Sequence, residues 1–316
     1  MTEQADTPFV RLPQQDGVLV LDKPSGPTSR RCLNVLKAMG QKKIGHAGTL
    51  DPMASGVLLV LLGQATKLSD YLLQGGFKIY RGTLELGRET DTWDAEGAET
   101  AKAGWDGVTE ADVREALDAW LGSSMQEVPP YSAAKHNGQP LYRLARKGLE
   151  VPQKVKRVEI SRVEAISVDL PSVSFRVTCS SGTYIRSLAH SLGTRLQCGA
   201  VLTELVREYS HPFGLSEAAG FEALKAHPET LPGHVRPIGD ALPGWPRIAL
   251  SKAQARRMRD GWPVACPPFL LGAVQANDGL CFLTEDGREV AIGRMDDAEE
   301  AGSRLVKVAR GLWKQP

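Results

Sequence analysis

No stretch of this chain is apolar for longer than Val57 to Leu62. That is far short of the roughly 20 residues a membrane-spanning helix needs, so a helical membrane protein is excluded. The five cysteines (Cys32, Cys179, Cys198, Cys266, Cys281) are scattered and never spaced C-x-x-C. Neither a disulfide framework nor a zinc knuckle fits them, whereas a reducing cytoplasm does. The six histidines form no H-E-x-x-H or similar pair, so no metal site is expected. A phosphate-binding P-loop is also missing. Gly40 and Gly45 have its spacing, but His46 and Ala47 stand where lysine and serine or threonine belong. No G-x-G-x-x-G follows a strand, and Met53 occupies the first glycine position of a nucleophile elbow around Ser55. No cofactor is expected. Residues 1–15 lack a basic region followed by an apolar core, and read as a loose polar lead-in rather than a secretory signal.

What is present is a chain of 316 residues, long enough for two domains, with ordinary apolar and charged content. The net charge of +1 conceals a dipole. Between Glu85 and Asp118 eleven acidic residues face three basic ones, while between Lys135 and Arg162 eight basic residues face two acidic ones. A segregated basic stretch of this kind is an electrostatic footprint for nucleic acid, although most such runs are only solvated faces.

Local patterns divide the chain. "GVLVLDKPSG" is a short strand closed by a Pro/Gly turn, and "PTSRRCLNVLKAMG" a helix capped by Thr28 or Ser29 and ended by Gly40. "GVLLVLLG" is a buried strand, and "FKIYRGTLELG" alternates with Tyr80, Leu84 and Leu86 on one face. "TEADVREALDAWLG" is a helix whose Thr109 and Asp112 suit a capping box. "SFRVTCSSGTYIRSLAHSLG" reads as strand, turn and helix, with Arg186 in the first helical turn at the sheet edge. The basic stretch, about 128–158, is a loop-rich insertion punctuated by proline, glycine and asparagine. After a break near "DALPGWPRIAL" come a short helix and three or four short strands, a small β module of about 70 residues.

Asp51 is the one charged residue in an otherwise apolar, glycine-rich run. Asp-Pro commonly caps a helix, but Gly56 would break a helix begun at Pro52, and "VLLVLL" is strand. Asp51 is therefore a loop carboxylate leading into a buried strand, a frequent setting for site residues.

"GHAGTLDPMASG" resembles the signature of the TruB-type pseudouridine synthases, the family that modifies uridine 55 in the T loop of transfer RNA. "VLDKPSGPTS", "TDTWDAEG", "VPPYSAAKHNGQPLYRLARKG" and "CSSGTYIRSLAHSLG" resemble further segments of that family, in order, over about residues 16 to 215. The resemblance implies that Asp51 is the essential aspartate, attacking the ribose C1′ or taking a ribose proton. It implies that Arg186 pairs with that aspartate, that Tyr80 stacks on the flipped base, and that Tyr184 and Leu205 line the uracil pocket. His46 would help splay the nucleotide out of the loop, and Lys23 would help build the site. Ser181 departs from the pattern, standing where many relatives carry lysine.

The chemistry is consistent with this. Breaking a C–N bond, turning the base and rejoining it through carbon requires no redox step and no outside reagent. An ionised carboxylate covered by RNA needs a cation beside it, and the planar fork of arginine also fixes its geometry. By burial tendency alone Tyr80 would be an ordinary core residue among leucines, and His46 a turn residue.

The expected architecture is an α/β catalytic domain at 16–243, with a mixed, mostly antiparallel sheet and an RNA-gripping insertion at about 128–158. A small β-barrel-like, PUA-like RNA-binding domain follows at 244–316. Lys135, Arg143, Arg146, Lys147 and Lys154 are expected on the RNA backbone. The expected partner is the T-arm of tRNA, with no membrane and no obligatory protein partner, for a cytoplasmic monomer. A guide-RNA-dependent synthase of the same family would instead need partner proteins, and an RNA-binding or RNA-folding protein would tolerate Asp51→Asn.

Overall fold

The computed structural model describes residues 11–300 and 303–313. Most of the expected lead-in lies outside the described residues. Residues 11–15 run against the turn that ends the first helix: the Leu12 amide donates to Met39 O, and the Gln15 amide to Gln41 Oε1 at 2.8 Å.

Eleven strands form the main sheet. Its continuous path runs Ala219–Gly220, Gly17–Lys23, Ser55–Leu62, Ala200–Ser210, Phe77–Leu86, Ser172–Ser180, Val155–Asp169, Gly122–Glu127. Every neighbouring pair on this path is antiparallel except two, Gly17–Lys23 with Ala219–Gly220 and Ser55–Leu62 with Ala200–Ser210. The sheet is thus mixed and mostly antiparallel, as expected.

One face of this sheet carries three helices, Ser29–Ala38, Glu110–Asp118 and Ile185–Arg195. Each begins where local chemistry allows. Thr28 accepts the Arg31 amide, and Thr109 with Asp112 forms the expected capping box. Their apolar stripes (Cys32 and Leu36; Val113 and Leu117; Leu188 and Leu192) pack on Leu58, Val60, Phe175 and Leu202 of the sheet.

A second, five-stranded sheet is built from Arg247–Leu250, Val264–Ala265, Leu280–Glu285, Arg288–Glu300 and Ser303–Gly311. This is more strand than the sequence pattern disclosed, because Arg247–Leu250 and Val264–Ala265 are short pieces that pair with longer strands. Phe282, Ile292 and Leu312 of this part pack on Val18, Val20, Leu59 and Leu61, covering the other face of the main sheet. Trp245 joins the two, with its ring 5.1 Å from Tyr71 and 5.3 Å from Phe282.

Residues of the basic insertion form a two-stranded pairing (Lys135–His136 with Gln139–Pro140) and one short helix, Leu141–Ala145, between otherwise irregular segments. It leaves the sheet after edge strand Gly122–Glu127 and returns into Val155–Asp169, so it stands beside that edge.

Candidate active site

The Asp51 loop is fixed from three directions before any functional contact is made. Ser29 Oγ donates to Leu50 O and accepts the Leu50 amide, both at 3.0 Å. Lys23, fully buried, donates from Nζ to Pro24 O (2.8 Å), Pro52 O (3.3 Å) and Ala54 O (2.6 Å). Burial lowers its pKa to about 8. Arg207, also fully buried, donates to Val57 O (2.6 Å) and Gly48 O (3.0 Å), and lies 3.5 Å from Thr49 O and the Tyr80 hydroxyl. Two cations therefore bind the carbonyls of one loop, satisfying backbone acceptors that would otherwise be buried unpaired. No helix follows Asp51, in agreement with reading it as a loop carboxylate. Gly56, at φ +97°, lets strand Ser55–Leu62 lie against Ala200–Ser210: a Cβ there would collide with Arg207 O.

Arg186 approaches from the second residue of helix Ile185–Arg195 and is 4% exposed. Its Nε donates to Asp51 Oδ2 at 2.9 Å, Nη1 to Thr92 O at 2.8 Å, and Nη2 to Tyr131 O at 3.0 Å. Asp94 Oδ2 stands 3.5 Å from the same Nε. Every edge of the guanidinium is thus held by a different segment of the chain. Asp94 is itself oriented, since Oδ1 accepts the Thr92 hydroxyl at 2.6 Å and the Glu96 amide at 3.1 Å. Burial pushes the Asp94 carboxyl above its ordinary range, against the hydrogen bond from Thr92 and the charge of Arg186.

Asp51, half-buried, opens on a cavity of about 470 Å³ that Tyr80, Tyr184, Arg186 and Leu205 also line. Five of the expected site residues therefore converge. Tyr184 is fixed through its backbone by Gln126, which accepts its amide at 2.7 Å and donates to its carbonyl at 3.1 Å. Burial raises the pKa of both the Tyr80 and Tyr184 phenols, which keeps them neutral aromatic surfaces. His46 and Lys23 do not line the cavity. His46 sits on strand Ile44–Ala47 with burial lowering its pKa, so it is neutral, and its Nδ1 has no hydrogen-bond partner among the described residues. Lys23 acts from beneath the loop.

Of the cations expected on RNA, Lys135, Arg143, Arg146 and Lys147 are exposed on the insertion, and Arg146 lies over the Tyr142 ring at 5.7 Å. Lys154 is partly buried and donates to Lys135 O, spending one of its protons within the insertion. None of the five lines the cavity, although Ser132, Ala133 and Ala134 of the insertion do.

Sequence reasoning missed Asp94, Arg207 and Lys78. Asp94 lies inside "TDTWDAEG", whose likeness to a family segment was visible but whose contact with Arg186 was not. Arg207 and Lys78 sit on strands at positions that burial alone would assign to apolar residues; a cation inside an alternating apolar face is the signal that marks them. A larger groove, about 670 Å³, lies on the far side of helix Ile185–Arg195, where the Trp93 and His190 rings stack at 4.4 Å.

The chain is similar to known proteins over most of its length. A family model described as TruB family pseudouridylate synthase, N terminal domain, matches residues 36–185. The chain is 59% identical over 300 residues to tRNA pseudouridine synthase B of Nitratidesulfovibrio vulgaris (Hildenborough), covering 95% of this chain and 99% of that protein. It is 45% identical to the protein of the same name from Aromatoleum aromaticum, covering 89% of each chain. For the Clostridium kluyveri protein the identity is 38%, over 89% of this chain and 96% of that one. Among solved structures, a Cbf5–Nop10–Gar1 complex matches with a TM-score of 0.69 at 24% identity, covering 95% of this chain and 85% of that one. An H/ACA RNP bound to a substrate RNA matches with a TM-score of 0.68 at 23% identity, over 94% of this chain and 85% of that one. At those identities the structural likeness is one of fold.

Proposed function

The chain belongs to the TruB family of pseudouridylate synthases, an isomerase family, and we propose that it converts uridine 55 in the T loop of tRNA to pseudouridine. In this reading it acts as a cytoplasmic monomer, without a cofactor and without an obligatory protein partner. Residues 16–243 form the catalytic unit, and 244–316 a PUA-like unit that also contacts RNA.

The target nucleotide leaves its stack at a cost of a few kcal/mol, offset by aromatic contact with Tyr80 and Tyr184. Leu205 closes the pocket around uracil, and His46, uncharged, aids the splaying of the loop. The Asp51 carboxylate then acts on the ribose, attacking C1′ or taking a ribose proton, as the N1–C1′ bond breaks. The freed base turns, C5 bonds to C1′, and the C5 proton leaves while N1 gains one, so the product is an isomer of the substrate. Arg186 holds the carboxylate in place throughout, and its charge offsets that of Asp51 when RNA displaces water. Lys135, Arg143, Arg146, Lys147 and Lys154 draw the RNA phosphates to the insertion.

The observation that carries this reading is the 2.9 Å contact between Arg186 Nε and Asp51 Oδ2 on the wall of a cavity that two tyrosines also line. The test is to incubate the purified chain with unmodified tRNA transcript and map pseudouridine at every position. Product at the single T-loop uridine supports the proposal. Product elsewhere, or none without added proteins and a guide RNA, contradicts it.

A further inference from the structure

Lys78 is the second residue of strand Phe77–Leu86 and lies on the same face as Tyr80, two residues on. It is 7% exposed and lines the cavity that holds Asp51. Among the described residues its ammonium makes neither a hydrogen bond nor an ion pair. Its charged neighbours are cations. A Cβ built on Gly48 would fall 3.1 Å from Lys78 Nζ and 3.5 Å from Arg207 Nη1, so both side chains converge on the Gly48 backbone. Lys156, exposed on strand Val155–Asp169, lines the same cavity, and its Nζ occupies the space a Cβ on Gly182 would need at the cavity wall. It also lines the adjoining groove, about 480 Å³, that continues past Ser180 and Ser181.

The charges on the cavity wall therefore do not balance. Among the described residues Asp51 is its single acidic residue and is already engaged by Arg186, leaving Lys78 and Lys156 without an anion there. Arg207, beneath them, is satisfied by backbone carbonyls. An ammonium on a largely buried side chain with no anion beside it is costly to keep, and the strand that places it positions it toward the cavity where a ligand enters. Uracil and ribose are uncharged, and the negative charge of an RNA strand resides on its phosphates.

We propose that Lys78 and Lys156 form an anion subsite for a phosphodiester adjoining the target uridine, so that the cavity grips the flipped nucleotide at its charged linkage as well as at its base and ribose. This rests on the proposed RNA substrate. Lys78 is a positioning residue in this account: it acts on the backbone of the nucleotide and takes no part in bond making. The insertion cations draw the RNA in by long-range charge, whereas Lys78 engages only the linkage that follows the flipped nucleotide into the cavity. A charge-assisted hydrogen bond made there is strong because water is excluded.

The test is an affinity cycle with T-arm stem-loop RNAs in which the linkage immediately 5′ or immediately 3′ of the target uridine is an uncharged methylphosphonate. Dissociation constants are compared for the wild type, Lys78→Met, Lys78→Arg and Lys156→Ala at one ionic strength, with circular dichroism reporting the fold of each. For one of the two RNAs, the wild type is expected to lose about tenfold in affinity. Lys78→Met should bind the all-phosphate RNA about tenfold more weakly, with no further loss on that modified RNA, while Lys78→Arg stays near the wild type. Lys156→Ala, at an exposed position, supplies a second cycle at the same linkage. If both modified RNAs cost the Lys78 and Lys156 variants as much as they cost the wild type, the subsite does not exist. Pseudouridine formation by the wild type on the all-phosphate RNA tests the proposed reaction separately, because the affinity cycle requires binding alone.

Discussion

Arg186 and Asp51, separated by 135 residues in sequence, meet at 2.9 Å, and the same guanidinium nitrogen stands 3.5 Å from Asp94. One arginine thus joins the Asp51 loop to "TDTWDAEG", and its other nitrogens reach Thr92 O and Tyr131 O. The carboxylate has little freedom to move while the guanidinium is held on every side.

Asp94 is expected to act through Arg186. Asp94→Asn keeps the shape of the side chain and removes its charge, loosening the hold on the Arg186 Nε that Asp51 also engages. The expected outcome is a fall of about 10²-fold in single-turnover rate with RNA affinity within about twofold, since small misplacements of reacting groups cost rate rather than binding. Rapid-quench kinetics beside a filter-binding titration separates the two.

Arg207 is expected to be a determinant of stability as well as of the site. Arg207→Met leaves the carbonyls of Gly48 and Val57 without their Arg207 donor, the second of them at a fully buried position. A loss of about 3 kcal/mol is expected, read as a lower urea midpoint with an unchanged slope.

Lys78 should make the RNA-free protein less stable than it would otherwise be. Burial and the nearby Arg207 lower its pKa to about 8, from the ordinary 10.5. Below pH 8 the folded and unfolded states both carry the proton, and the folded state bears the cost of a buried charge, about 3 kcal/mol at most. As pH rises from 8 through 10.5 the folded state gives up its proton first, and the cost disappears. Lys78→Met is therefore expected to melt higher than the wild type at pH 7, with the difference closing by about pH 10.5. A difference that stays constant across this range would contradict the expectation.

The exposed insertion cations should act through long-range charge. Replacing Arg143, Arg146 and Lys147 together by alanine should weaken RNA binding. It should also reduce the slope of log affinity against log salt by about 2, at roughly 0.7 per lost phosphate contact on single-stranded RNA. The single-turnover rate at saturating RNA should remain within about twofold, because none of the three lines the cavity.

Local chemistry was legible in the sequence, and long-range juxtaposition was not. The capping box of Thr109 and Asp112, the strand at Ser55–Leu62 and the strand–turn–helix that presents Arg186 all derive from residues a few positions apart. The pairing of Arg186 with Asp51 came from resemblance to a family, since no spacing rule joins residues so far apart. Lys78 and Arg207 escaped notice because period-two alternation marks which strand face is buried without showing that a cation will be buried there. Their placement depends on Gly48 and Gly56 allowing backbone and side chains to crowd together, which becomes visible only once the strands are paired. Strands Arg247–Leu250 and Val264–Ala265 were missed for a related reason. Each is too short to show a pattern, and each exists because a longer neighbour offers it a ladder.

The most direct test of the account is a single-turnover assay of wild type and Asp51→Asn on unmodified tRNA transcript, with RNA binding measured on the same preparations. The account predicts pseudouridine at the single T-loop uridine with the wild type and none with Asp51→Asn, while both bind the transcript with similar affinity. Product formed by Asp51→Asn at a rate near that of the wild type would contradict it.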